Sequence, residues 1–291
     1  MYDTTIPRWL NYSKAFIDIN DLDPVYVAVH GAYENKELDF DQACNFLTMM
    51  STFYSIGESC TLVHLNIPSE QVWDYMLENY STLKRGTERR YFRGEQGLRC
   101  LHYLKEHYKT PQEFVMDNYR PTYVGVCERF ARIPAFGPYH IWKWLDFYDR
   151  ILGMSVQVDF DHAVKVIPAE PIKGAKKVSM EVWGEDRGLI PTVEHMFNVM
   201  RDRGMSAPPM HDRLVDVQEI ETCLCMINHM YAGQHIDYVG KDLLDKYESV
   251  KAVGVAGEFL LKYLPKPVPK NYMVDPFLCA DLNTNNLLEL I

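Results

Sequence analysis

Between Phe130 and Val166 the chain reads FARIPAFGPYHIWKWLDFYDRILGMSVQVDFDHAVKV, and its acid–base groups are spaced for proton chemistry. Asp159 sits in an apolar frame, Val158-Asp159-Phe160-Asp161-His162, with a second carboxylate and a histidine just after it. A carboxylate or imidazole so placed can take a proton from a reacting amine or steady a developing positive charge. Gly137 lies 22 residues earlier, closing the turn Ile133-Pro134-Ala135-Phe136-Gly137. Such a turn brings backbone N–H groups and a helix N-terminus to a phosphate, a grip on nucleic acid that ignores base sequence. Tyr139 and His140 open the following helix and join the turn as candidate DNA contacts. A carboxylate at the far end of that helix then faces a base extruded from the duplex. The plainer alternatives are an ordinary Pro-Gly turn, a structural His140, and an Asp159 or Asp161 that only caps the next helix.

Cationic chemistry concentrates in Lys84-Arg85-Gly86-Thr87-Glu88-Arg89-Arg90-Tyr91-Phe92-Arg93, five positive charges against one negative. Its aromatics and its glycine favour a phosphate-facing segment over a solvated charge run. The whole chain carries a net charge of −10, which excludes indiscriminate coating of DNA and requires any contact with it to be local. Glu221, on an apolar-rich helix, is either a working carboxylate or the salt-bridge partner of Lys241 or Arg213. Seven cysteines without framework spacing fit free thiols. Cys223 and Cys225 point to different sides of a helix, so with His229 and His235 they do not converge on zinc, and no metal site is expected.

The elements that must position these groups are helical. Asp39 caps a helix running through Phe46, Leu47, Met50 and Phe53 to Gly57. Ser69-Glu70-Gln71 opens another, ended by Gly86; a third carries Leu98, Leu101 and Leu104, and Pro111 starts the next. Ile141, Trp144, Leu145 and Tyr148 share one face of the helix after the turn. Thr192 caps a helix ending at Gly204, Asp216 opens a long one ending at Gly233, and Asp237 to Asp242 turns into a further helix. Residues 167–191, with three prolines and three glycines, are expected to form a loop or lid. Residues 1–34 are expected to form an irregular arm packed on a catalytic domain of residues 35–264, and residues 265–291 an extended tail. The expectation is an all-α protein. No apolar run approaches the roughly 18 residues of a membrane span, and Met1-Tyr2-Asp3 lacks signal-peptide character, so a soluble cytoplasmic protein is expected.

The turn, the helix and the Asp159 run resemble the helix-hairpin-helix DNA glycosylase superfamily, whose pattern is L-P-G-φ-G, a helix, then φ-φ-V-D-T-H. The resemblance implies a two-lobed helical glycosylase-like fold. Ala135 replaces the first glycine of the pattern. Tyr139 stands where bifunctional members place a lysine, which argues against Schiff-base lyase chemistry, and the four-cysteine iron–sulfur cluster of many members is absent from the sequence.

Gly86-Thr87-Glu88-Arg89-Arg90 with nearby Arg93, the hairpin, and Glu221-x-x-Leu224-Cys225 followed by Val239-Gly240-Lys241-Asp242 are similar to phage enzymes that hypermodify thymine in DNA. These are the amino acid:DNA transferases and the related α-glutamyl/putrescinyl thymine pyrophosphorylases, and the likeness covers about residues 70–250. It implies a double-stranded DNA substrate carrying 5-pyrophosphoryloxymethyluracil, an amine or amino-acid co-substrate, and a bacterial host cytoplasm if the chain is phage-encoded. On that reading Arg89, Arg90, Arg93 and Lys241 neutralise the departing pyrophosphate, with Mg2+ as an optional helper and no required cofactor. Asp159 is the first choice for the base that deprotonates the amine, with Asp161, His162 and Glu221 as alternatives. Tyr139 is a candidate to stack on the flipped base. Two rival readings are a monofunctional base-excision glycosylase, which needs no arginines for a diphosphate, and a non-enzymatic helix-hairpin-helix DNA-binding module.

Overall fold

A computed structural model describes residues 2–86, 92, 94–233 and 236–275, with the backbone alone at Tyr139 and Val166. Among the described residues the regular structure is helical, and β pairing is confined to three isolated bridges. In chain order the α-helices are α1 (Arg8–Asp18), α2 (Pro24–Glu34), α3 (Phe40–Phe53), α4 (Ile56–His64), α5 (Val72–Glu78), α6 (Gly94–His107), α7 (Pro111–Asn118) and α8 (Tyr123–Phe130). They continue with α9 (Pro138–Asp146), α10 (Phe160–Ala163), α11 (Ala169–Trp183), α12 (Leu189–Asp202), α13 (Val217–Ala232), α14 (Lys241–Lys251) and α15 (Glu258–Leu261).

The caps explain most boundaries. Asp39 and Gln42 form a reciprocal capping box at the start of α3, and Asp216 and Glu219 form another at α13. Thr110 accepts from the Glu113 N–H at 3.1 Å with Pro111 at the first helical position of α7. Gly233 ends α13 in the left-handed conformation at φ 58°. α3 stops earlier than the spacing predicts, because Tyr54 turns left-handed (φ 51°) and Ser55 caps a separate helix.

Three expectations are corrected, the first that Thr192 caps a helix: it lies inside α12, its hydroxyl donating to the Gly188 carbonyl at 2.7 Å. Residues 167–191 are not a lid: Ala169–Trp183 is a 15-residue helix, and α12 begins at Leu189. Nor is the N-terminal segment irregular, since α1 and α2 lie within it. Tyr12 and Phe16 are buried on α1 with Trp9.

The chain divides into two compact units interleaved along the sequence. Unit 2 comprises Ala28–Asp159 and Glu248–Tyr263. Its core is a nest of rings: Phe114 meets Trp144 edge-on at 5.2 Å, and Phe130 stacks on Trp144 at 5.5 Å and on Phe136 at 5.6 Å. Each such ring removes roughly 150–250 Å² from water, so this nest dominates the unit's cohesion. The other unit, unit 1, takes the chain up to Val27, then Phe160–Tyr247, then from Leu264 onward. Its principal pairing is α11 against α13. Gly174 permits that approach, because a Cβ there would lie 1.9 Å from the Leu224 carbonyl oxygen.

Candidate active site

The predicted hairpin is a tight turn joining α8 to α9 in unit 2. Ile133 and Phe136 are buried and anchor it, the Phe136 N–H closing the turn onto the Ile133 carbonyl at 3.2 Å. Ala135 is held at φ 64°, the left-handed region in which a glycine carries no Cβ penalty. Gly137 and Pro138 face solvent, and a Cβ on Gly137 would meet no atom within 4 Å. The open surface of the turn is therefore its backbone at Gly137 and the first turn of α9. His140 is buried; its Nε2 lies 3.1 Å from the Ser51 carbonyl on α3, and its ring packs on Phe136. Of the predicted DNA contacts, Ile133, Phe136 and His140 thus support the turn from inside, while Pro134, Ala135 and Gly137 lie nearer its surface. Tyr139 occupies the second position of α9.

After α9 the chain passes through a π-turn, Phe147–Ile151, and bends at Gly153 (φ 64°) into an extended run. That run is pinned beside the start of α8: the Gln157 N–H donates to the Pro121 carbonyl at 2.9 Å, and the Tyr123 N–H donates to Gln157 at 3.0 Å. Asp159 stands two residues beyond this clamp, exposed, at the end of a unit 2 segment. Asp161 and His162, both exposed, sit on the short α10 that begins the next unit 1 segment. One clamp therefore ties the hairpin's first helix to the extended run that leads to Asp159.

In unit 1, Glu221 is buried on α13. The Thr222 hydroxyl lies 3.4 Å from Glu221 Oε2 and 3.3 Å from Asp23 Oδ2, so one hydroxyl stands between two carboxylates. Asp21, two residues before Asp23, is buried and accepts the Gly240 and Leu243 N–H groups at 2.6 and 2.7 Å, which fixes the start of α14. Burial, with Asp242 nearby, pushes the Asp21 carboxyl up to about 8 despite those two bonds. Lys241 pairs with Asp245 on its own helix, which raises its ammonium pKa, and Arg213 forks onto Glu219 with two bonds of 3.0 Å.

Arg89, Arg90 and Arg93 lie outside the described residues. Arg85, earlier in the same cationic run, is structural: its guanidinium donates to the carbonyls of Phe92, Leu83 and Tyr80 and sits over the Tyr80 ring. Among the described residues no group of three or more His, Cys, Asp or Glu side chains converges as metal ligands.

Residues 17–231 match the sequence profile of the family described as amino acid:DNA transferase, which takes in the hairpin, Asp159 and Glu221 and stops short of Lys241. The chain belongs to the amino acid:DNA transferase family. It is similar to the putrescinyltransferase of Delftia phage PhiW-14, at 40% identity over 94% of this chain and 88% of that protein. A glycinyltransferase of Pseudomonas phage PaMx11 is 29% identical over 70% of this chain and 77% of its own length. The protein is a transferase acting on DNA.

The transferase carries one constellation of which sequence reasoning named only His140. His140, Lys143, Asp146 and Asp149 recur every three residues along α9 and the π-turn, Arg150 lies four after Asp146, and all five are buried. Asp146 lies between two cations, 3.6 Å from Lys143 Nζ and 3.9 Å from Arg150 Nη1. Buried Lys, Arg and Asp are rare unless paired, and π-turns gather at functional sites. The available signal was a period of charges inside a helix otherwise read for its tryptophans.

Proposed function

We propose that the protein replaces the pyrophosphate of 5-pyrophosphoryloxymethyluracil in DNA with an amine, giving a hypermodified thymine. The observation that carries this reading is the family match across the hairpin, Asp159 and Glu221 together. The amine nitrogen bonds to the 5-methylene carbon as the carbon–oxygen bond breaks. That bond's electron pair leaves with pyrophosphate, and the ammonium proton passes to a protein base. A diamine of the putrescine type is the first donor to test, on the strength of the 40% identical relative.

In this reading α8, the turn and α9 act as the phosphate grip of a glycosylase-like helix-hairpin-helix fold, with the open backbone at Gly137 toward the DNA. Asp159 is the base, because the Gln157 clamp ties it to the hairpin and its exposure leaves it accessible to an incoming amine. Asp161 and His162 follow it closely in sequence and are the alternates. Glu221, with Asp23 across the Thr222 hydroxyl, offers negative charge suited to a substrate ammonium. Arg89, Arg90 and Arg93 are assigned the departing pyrophosphate from their residue type and spacing, because a concentrated anion leaves faster beside fixed guanidinium groups. Lys241 is the weakest member of that set, since Asp245 already holds its ammonium. The chemistry needs no resident cofactor; Mg2+ can accompany the pyrophosphate as its counter-ion.

The deciding experiment is nucleoside mass analysis of 5-pyrophosphoryloxymethyluracil DNA incubated with the protein and a mixture of amino acids and polyamines. An amine-bearing thymidine, whose mass names the donor, is expected. Free base or abasic sites would replace the transferase reading with a glycosylase, and bound but unaltered DNA would replace it with a binding module.

A further inference from the structure

Unit 1 carries a groove of about 1270 Å³, walled by the start of α1, by α11 and by the end of α13, that the chemistry above leaves unassigned. Arg8 enters it from α1, and Lys173, Lys176 and Lys177 enter it from α11. Spacings of three and four residues put those lysines on one helical face. Two carboxylates also line the groove, and both are engaged. Glu170 accepts from Lys173 at 2.6 Å and from Asn228 at 2.8 Å. Glu181 accepts the Arg8 backbone N–H at 2.5 Å and the Tyr231 hydroxyl. Four cations and two carboxylates line this wall in a chain whose net charge is −10, and from outside the lining Asp275 pairs with Arg8 and Asp186 with Lys176 at 3.6 Å.

Two of the cations, Arg8 and Lys177, are built in. The Arg8 guanidinium stacks 3.4 Å over the Tyr231 ring and pairs with the fully buried Asp275 at 3.2 Å. Lys177 Nζ rests 2.6 Å from a neutral group, the Asn228 carbonyl. Burial and the neighbouring Arg8 hold the Lys177 ammonium below its ordinary pKa, as expected for two like charges facing one hollow. An anion in the groove relieves that repulsion.

We propose that this groove binds phosphate-type oxyanions, with the DNA backbone outside the hairpin contact as the principal source. The volume supports the backbone over a lone small anion, because sites for single small ligands run roughly 300–1000 Å³. Tyr2, Ile6 and Met180 add apolar wall against which sugars can lie. This inference concerns binding alone and does not depend on the transfer chemistry.

The test measures affinity of the full chain for unmodified duplex DNA across a salt series, by fluorescence anisotropy. Each lost phosphate contact lowers the slope of log K against log salt by roughly 0.9. The triple variant Lys173→Gln, Lys176→Gln, Lys177→Gln is therefore expected to lose about 2–3 units of slope. A control triple, Lys36→Gln, Lys109→Gln, Lys251→Gln, removes the same charge from exposed positions outside the groove and should leave the slope nearly unchanged. If the first triple is too unstable to measure, Lys173→Gln with Lys176→Gln, both at exposed side chains, should still lose between one and two units. Calorimetry with inorganic pyrophosphate separates the sources: binding lost in the groove variant with an unchanged DNA slope assigns the groove to a free anion. Equal slope losses in both triples, or no change with either ligand, overturn the proposal.

Discussion

Gly174→Ala sets two physical rules against each other. Inside an exposed helix this change is stabilising, because alanine exceeds glycine in helix propensity by about 1 kcal/mol. At position 174 the new methyl carbon would sit 1.9 Å from the Leu224 carbonyl oxygen and 2.7 Å from its carbon. These are backbone atoms of α13 and cannot rotate aside, so α11 must withdraw by more than an ångström along the principal pairing of unit 1. Overpacking of this kind costs roughly 1–3 kcal/mol, at the upper end against backbone. Adding the contacts surrendered as the helices part and subtracting the propensity gain leaves a net loss of about 2–3 kcal/mol. Urea unfolding followed by circular dichroism, with the slope checked for constancy, measures it. Gly137→Ala is the internal control: nothing lies within 4 Å of its Cβ and its φ is −92°, so its stability should change by less than about 1 kcal/mol. A Gly174→Ala protein as stable as the parent, or more so, would refute the close-approach argument.

Ala135→Gly releases a left-handed alanine worth about 1–2 kcal/mol and gives back about 0.5–1 in chain entropy, so unfolding titrations should show a gain below about 1.5 kcal/mol. Asp146→Ala leaves Lys143 and Arg150 buried without the carboxylate between them and is expected to cost about 3–5 kcal/mol in the same assay; a loss under 1 would mean those cations do not depend on it. Asp21 titrates in reverse of a typical surface carboxylate. Its folded-state pKa is raised from 3.8 to about 8, so the stability it contributes is complete below the lower value and lost as pH rises through the upper one. The stability difference between the parent and Asp21→Asn should shift in favour of Asn from pH 4 to pH 8, and a pH-independent difference would show the carboxylate to be ionised throughout. Asp159→Asn is expected to slow single-turnover transfer at least 100-fold with little change in DNA affinity; a defect confined to affinity would make Asp159 a structural cap.

What the sequence made legible were local devices. Asp39, Asp216 and Gly233 act where their types predict, because a cap satisfies its own helix and needs no partner from elsewhere. Residues 167–191 misled for the same local reason. Pro171 and Pro191 fall in first turns, where a missing N–H costs no helical bond, and Gly184 (φ 73°) and Gly188 (φ 86°) bound the neighbouring helices. Only Gly174 is interior, and its reason for being glycine lies fifty residues away at Leu224. α1 escaped notice because Pro7 precedes it without a side-chain cap and Asn11, Tyr12 and Ser13 are indifferent helix formers. The hairpin and Asp159 were readable as a motif. The burial of Lys143, Asp146, Asp149 and Arg150 was not, since whether a charge is interior is decided by partners distant in sequence.

The interleaving of the two units constrains how such a protein can diversify. The chain passes between them at Val27, Asp159, Tyr247 and Tyr263, so each unit is assembled from pieces that are remote in the coding sequence. A single recombination crossover at any internal position within residues 28–263 leaves at least one unit with segments of mixed parentage, and the mismatch falls on packed pairs such as Gly31 against Tyr263 or Asp21 against Gly240. Exchange of one unit as a module would require several simultaneous breakpoints. Point substitution within the retained frame carries no such mismatch, because every segment of both units keeps a single parentage.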